Sequence, residues 1–122
     1  KTKLVWIEGN AKPFPPFQIY PCENTEPDPF VCLALELSGG EFANYTVHRV
    51  KKPCPVCICA KSEKGADIEV LSNKKSVGRF RLESRAYVRV DAAVIEACEK
   101  AVVTVKVLDG TIRMKEISFC YE

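Results

Sequence analysis

Four side chains capable of metal binding or nucleophilic chemistry fall within twelve residues: His48, Cys54, Cys57 and Cys59. Imidazole and thiolate suit a tetrahedral zinc ion, but a structural zinc site usually takes a second ligand pair, and the chain has no other Cys-x-x-Cys. The same cysteines also read as disulfide partners. Seven cysteines in 122 residues (Cys22, Cys32, Cys54, Cys57, Cys59, Cys98 and Cys120) fit the framework of a small secreted domain. Cys57 and Cys59 are two apart, so on a strand they share a face and each would reach a different partner. A redox motif normally opens a helix, whereas Pro53 and Pro55 favour an extended segment. Disulfides fit the pattern best, and no residue set asks for a metal or a cofactor. Because the count is odd, one thiol is expected to be buried or to join two copies in a covalent homodimer.

Ser-His-Asp or Cys-His catalysis would need His48, the single histidine, and no Gly-x-Ser-x-Gly, His-Glu-x-x-His or phosphate-loop pattern accompanies it. The chain therefore reads as a binding protein without catalysis. Its net charge of +2 is unevenly spread: residues 51–89 hold ten Lys or Arg against four Asp or Glu, between flanks of net −2 each. Within that block Arg79, Arg81, Arg85, Tyr87 and Arg89 hold odd positions, opposite in phase to Phe80, Leu82, Val88 and Val90. Read as one bent or interrupted strand, they form a basic face, joined by Lys74 and Lys75 in the preceding loop. Guanidinium groups grip sulfate, phosphate and carboxylate in pairs. The expected partner is an extracellular protein or a polyanion such as a glycosaminoglycan.

These residues must be positioned by strands. Val31–Leu37 places Leu33, Leu35 and Leu37 on one face, and Phe42–Val50 places Tyr45 and Val47 inward with His48 exposed. Residues 67–71 alternate, with Ile68 and Val70 inward. Pro13, Pro15 and Pro16 confine their segment to a sheet edge. Ser38-Gly39-Gly40-Glu41 and Asp109-Gly110 are hairpin signals, the latter pairing Leu108 with Thr111. The inward phase then slips from Ile112 and Met114 to Ile117 and Phe119, which predicts a bulge near Lys115-Glu116. Asp91–Lys100 is the single helix candidate, although a continuous strand fits too. A strand running back to Cys98 would leave it diagonal to Cys120 across the Asp109-Gly110 hairpin, in reach of a disulfide given local twist. The fold class is all-β: residues 1–122 form one domain, a disulfide-stapled antiparallel sandwich of immunoglobulin-like topology, or a barrel.

Lys1 is not an initiator methionine, and Asn44-Tyr45-Thr46 is a glycosylation sequon on the solvent side of its strand; both point to a secreted, mature chain. Three stretches, Glu26–Val31, Pro53–Cys59 with Lys64-Gly65 downstream, and Gly78–Ser84, resemble the ganglioside-activator branch of the ML lipid-recognition family. The resemblance implies a two-sheet sandwich with a lipid held between its sheets, so the alternative partner is a small apolar ligand.

Overall fold

Alternation of apolar and polar residues dominates the chain from Leu35 onward, and it forms strands. The computed structural model describes the backbone of residues 6–9, 12–13, 20–21 and 30–119 and the side chains of 35–119. The strands are β1 (Trp6–Gly9), β2 (Lys12–Pro13), β3 (Tyr20–Pro21), β4 (Phe30–Ser38), β5 (Phe42–Val50) and β6 (Cys54–Lys61). They continue as β7 (Ala66–Ser72), β8 (Lys75–Leu82), β9 (Val88–Ile95), β10 (Cys98–Asp109) and β11 (Thr111–Phe119). The first sheet runs β1-β5-β10-β7-β8, the second β2-β4-β11-β6-β9, with β3 also on β4. All pairings are antiparallel.

The pairing is nested. β7 pairs β8, β6 pairs β9, β5 pairs β10 and β4 pairs β11. Among these eight strands only β7 and β8 form a hairpin; every other connection crosses from one sheet to the other. This is the jelly-roll arrangement, not immunoglobulin-like topology. Successive connections consequently lie at alternate ends of the sandwich. One end carries the turns at 39–41, 62–65, 83–87 and 110, the other those at 51–53, 73–74 and 96–97.

Leu37, Tyr45, Ile58, Ile68, Val105, Ile112, Met114, Ile117 and Phe119 are fully buried between the sheets. Each side chain of this size contributes roughly 1.5–3 kcal/mol when withdrawn from water. The expected inward phases of Tyr45, Val47, Ile68 and Val70 are all observed. So is the bulge: the register of β11 shifts between Met114 and Glu116 against both neighbours. Pro13 lies in the short β2 at the edge of the second sheet, while Pro15 and Pro16 lie outside the described residues.

Four expectations are corrected. Residues 91–100 form no helix; they end β9 and begin β10. Val94, Ile95, Cys98 and Val102 do recur at helical spacing, but β6 pairs residues 91–95 and β5 pairs residues 98–102, and β-branched residues suit a pleated surface. The turns at Gly40 and Gly110 are not hairpins, because each joins strands of different sheets. Their glycines have φ of 86° and 87°. Such a conformation permits a reversal without specifying which sheet the chain re-enters. Residues 77–90 are not one strand with one solvent face; β8 belongs to the first sheet and β9 to the second. Finally, no disulfide forms among the described residues. Cys54 faces the core, Cys57 and Cys59 lie on the second sheet's strand β6, and Cys98 starts β10 in the other sheet. The hairpin that was to align Cys98 with Cys120 does not exist, and Cys22 and Cys120 lie outside the described residues, as does the side chain of Cys32.

Candidate functional site

The outer face of the second sheet gathers the densest set of polar side chains. Its register sets Glu36 of β4, Arg113 of β11 and Lys61 of β6 side by side. Arg113 Nε donates to Glu36 Oε1 at 3.3 Å. Lys61 Nζ lies 3.8 Å from Glu63 and 5.1 Å from the centre of the Tyr87 ring. Lys115 Nζ is 4.8 Å from the same ring. An ammonium near an aromatic face is held by the ring quadrupole, so Tyr87 is gripped by two cations. Its phenol is pushed above its ordinary value, chiefly by burial and further by Cys59, with Arg113 opposing. It remains a hydrogen-bond donor at neutral pH.

Beside this row a cleft of about 430 Å³ opens at the end of the sandwich, lined among others by Glu36, Lys61, Glu63, Thr111 and Arg113. Ser62 shapes its floor. Its hydroxyl donates to the carbonyl of Thr111 at 2.7 Å and its amide to the carbonyl of Ser84 at 2.7 Å, which ties three connections together. One row further along the face, Arg89 donates to Glu116 at 2.9 Å and to the Ser118 hydroxyl at 3.1 Å. The Cys57 thiol donates to Asp91 Oδ1 at 3.1 Å.

The seven residues expected to form one basic surface are brought to three places. Arg79 and Arg81 project from the first sheet, where each is opposite a carboxylate of β7: Glu69 for Arg79 and Asp67 for Arg81. Arg81 lies 3.4 Å from Asp67 and 3.5 Å from Glu83, and its guanidinium is held more firmly protonated, first by Asp67 and then by Glu83. Arg89 is on the second sheet, and Arg85 and Tyr87 are in the connection that leads into it. Lys74 and Lys75 are at the opposite end of the sandwich. All four arginines do point away from the core. The metal-like quartet is also dispersed: His48 is exposed on the first sheet, while Cys57 and Cys59 are on the second. None of the four described thiols is exposed. Asn44 sits half-buried on the first sheet, its Oδ1 accepting the Thr104 hydroxyl at 2.6 Å.

Sequence reasoning missed Glu36, Lys61, Glu63 and Arg113. They are scattered over 77 positions and meet only through the β4-β11-β6 register. The signal that would have found them is the nested pairing itself, since it aligns position 36 with 113 and 113 with 61.

No family model matches the chain, and no curated protein matches it. Solved structures do. The CBM36-1 domain of a multidomain xylanase from the hindgut metagenome of Trinervitermes trinervoides superposes with a TM-score of 0.65 at 10% identity, covering 98% of both chains. The module CsCBM6-3 from Clostridium stercorarium in complex with cellobiose gives 0.61 at 12% identity, over 99% of this chain and 88% of that one. Carbohydrate-binding module CBM36 in complex with calcium and xylotriose gives 0.61 at 10%, over 85% and 93%. At these identities the likeness is one of fold: the chain is a two-sheet antiparallel β-sandwich of the architecture these modules share.

Proposed function

We propose that this domain is a non-catalytic module that binds a polysaccharide in the cleft bounded by Glu36, Lys61, Glu63 and Arg113, with Tyr87 at its side. The observation that carries this reading is the composition of that cleft: carboxylate, guanidinium, ammonium and hydroxyl groups line one open groove beside an aromatic ring. Sugar hydroxyls both donate and accept. A groove offering both partners in charged form makes strong hydrogen bonds with them. An open groove at the end of a sandwich admits a polymer, where an enclosed pocket admits only a small ligand. The fold neighbours, which include modules solved with xylotriose and cellobiose, support the same class. Among the described residues no three His, Cys, Asp or Glu side chains converge, and the cleft itself offers direct polar contacts to a sugar. A polysaccharide partner fits a secreted location, as does the sequon.

Affinity electrophoresis and calorimetry against soluble xylan, mixed-linkage glucan and laminarin test the proposal. At least one polysaccharide should bind, with no release of reducing ends. Arg113→Ala should weaken binding about tenfold, the effect of losing one charged hydrogen bond of roughly 1.5 kcal/mol, and Tyr87→Ala by a few-fold to about tenfold, the effect of losing a neutral one of roughly 0.5–1.5 kcal/mol. Binding by neither glucan nor xylan, or undiminished binding by both variants, refutes it. The carrier reading implied by the ganglioside-activator resemblance makes a different forecast, a lipid retained on the purified protein in native mass spectrometry.

A further inference from the structure

The two ends of the sandwich differ in charge. At the end built from the connections at 51–53, 73–74 and 96–97, the exposed side chains of Arg49, Lys51, Lys52, Lys74, Lys75 and Lys100 come together. Among the described residues only Glu96 and Glu99 oppose these six, an excess of four positive charges in a chain whose total is +2. Among the described residues none of the six makes an ion pair, whereas Arg81, Arg89 and Arg113 each do. Like charges in excess at one end of a molecule repel one another, and the fold holds them there against that repulsion.

The backbone supplies an independent observation. Among the described residues, those other than glycine with left-handed φ are Arg49 at 57°, Asn73 at 49° and Lys74 at 70°, and all three lie at this end. A two-residue hairpin with both φ positive is ordinarily Asn-Gly, because a Cβ is unfavourable at the second position. Here that position holds a lysine. Asn73 clamps the turn in place. Its amide donates to the Val102 carbonyl at 3.0 Å, its side-chain nitrogen donates to the Lys100 carbonyl at 3.1 Å, and its side-chain oxygen accepts from Val102 N at 2.9 Å. Strained residues that the surroundings hold in place tend to be found at functional sites. Two of the strained positions carry cations, and the clamp binds Lys74 rigidly beside the strand that bears Lys100. A cleft of about 450 Å³ runs alongside, between Asn73 and Lys75 on one wall and Val94 and Cys98 on the other.

We infer that this end is a second binding surface, for a polyanionic polysaccharide carrying sulfate or carboxylate groups. Cations spread over two connections and the three strand ends beside them match charges repeated along a polymer better than a single small anion. The described residues of these connections include no Phe, Tyr or Trp, so they offer no platform for stacking bases, which separates the surface from a single-stranded nucleic-acid site. The surface is at the opposite end from the cleft of the proposed function and does not depend on that reading.

The test is chromatography on immobilised heparin, with double-stranded DNA-cellulose as comparison, for the wild-type chain and the double variant Arg49→Gly/Lys74→Gly. Relief of backbone strain should raise the melting temperature of the variant, so a loss of binding cannot be ascribed to misfolding. The wild type should be retained on heparin at low salt and elute as salt screens the contacts. The variant should elute at clearly lower salt. Adding Lys51→Gln and Lys75→Gln should weaken binding by a further factor of about 2 to 25, since each exposed ionic contact contributes a factor of about 1.5 to 5. Arg79→Gln/Arg81→Gln, on the first sheet, should elute with the wild type. Passage of the wild type through heparin at low salt overturns the inference, as does co-elution of the cationic-end variants with wild type. Tighter retention on DNA would assign the surface to nucleic acid instead. Binding of neutral polysaccharide should be unchanged in every one of these variants.

Discussion

At the scale of single residues the most informative side chain is Tyr45. It is fully buried, tilted against Phe119 with ring centres 6.4 Å apart, and its hydroxyl has no hydrogen-bond partner among the described residues. An unsatisfied buried hydroxyl costs roughly 1–3 kcal/mol. Tyr45→Phe should therefore raise stability at neutral pH by about 1 kcal/mol or more, read from urea unfolding. Burial also pushes the phenol far above its ordinary value. The sign follows directly: below about pH 10 both folded and unfolded chains hold the proton, and above it only the unfolded chain releases it, so stability falls as pH rises. Each further pH unit costs about 1.4 kcal/mol. The advantage of Tyr45→Phe should accordingly widen by about 1 kcal/mol between pH 10 and 11, because half of the unfolded chain's phenol is already ionised at pH 10. A gap that stays constant would mean the hydroxyl reaches water. The inward phase of Tyr45 was legible from alternation with Val47. Its unpartnered oxygen was not, because satisfaction depends on what the opposite sheet presents.

At the scale of elements, three glycines separate two kinds of constraint. Gly40 has φ of 86° with open space where a Cβ would stand. Gly78 is extended, but a Cβ there would meet the Ala92 carbonyl at 2.4 Å, where the edges of the two sheets close on each other. Gly110 combines both, with φ of 87° and the Gly65 carbonyl at 2.4 Å. Alanine at position 40 should cost about 1 kcal/mol through backbone strain alone. At 78 it should cost about 1–3 kcal/mol through overpacking, and at 110 about the sum. Thermal unfolding of the three variants checks the ranking, and equal losses at 40 and 110 would contradict it. Strand identity, side-chain phase and the bulge at Lys115-Glu116 could be read in the sequence, because each is set by neighbours within a few positions. Sheet membership could not. A glycine turn looks the same whether the next strand pairs with the last or crosses the core, and the hairpins expected at Gly40 and Gly110 failed for that reason. The helix expected over 91–100 failed because Val94, Ile95 and Cys98 suit either period until the partner strands are known.

For the whole molecule, the basic block of residues 51–89 was visible as a sum, but the fold distributes it. Arg79 and Arg81 are set among carboxylates of β7, while Lys51, Lys52, Lys74 and Lys75 converge with Arg49 and Lys100, which lie outside any single charged run. Charge counted along a chain predicts a surface only when consecutive elements stay together, and a jelly roll sends them to alternate sheets. The nested pairing also fixes the order in which contacts can be made. The β7-β8 hairpin closes a loop of two residues, whereas β4 and β11 bring Phe30 opposite Ser118. Closing long loops before short ones is entropically costly, so the chain should fold from the inside outward, and slowly, in milliseconds to seconds. Asn73→Ala should then slow refolding with little change in the unfolding rate, and Ile117→Val should chiefly speed unfolding, as stopped-flow urea jumps would show. The reverse pattern would place the nucleus at the outermost pair. In this order the clamp that holds Lys74 is among the first structures to form, and β11, which completes the Arg113 row, is among the last.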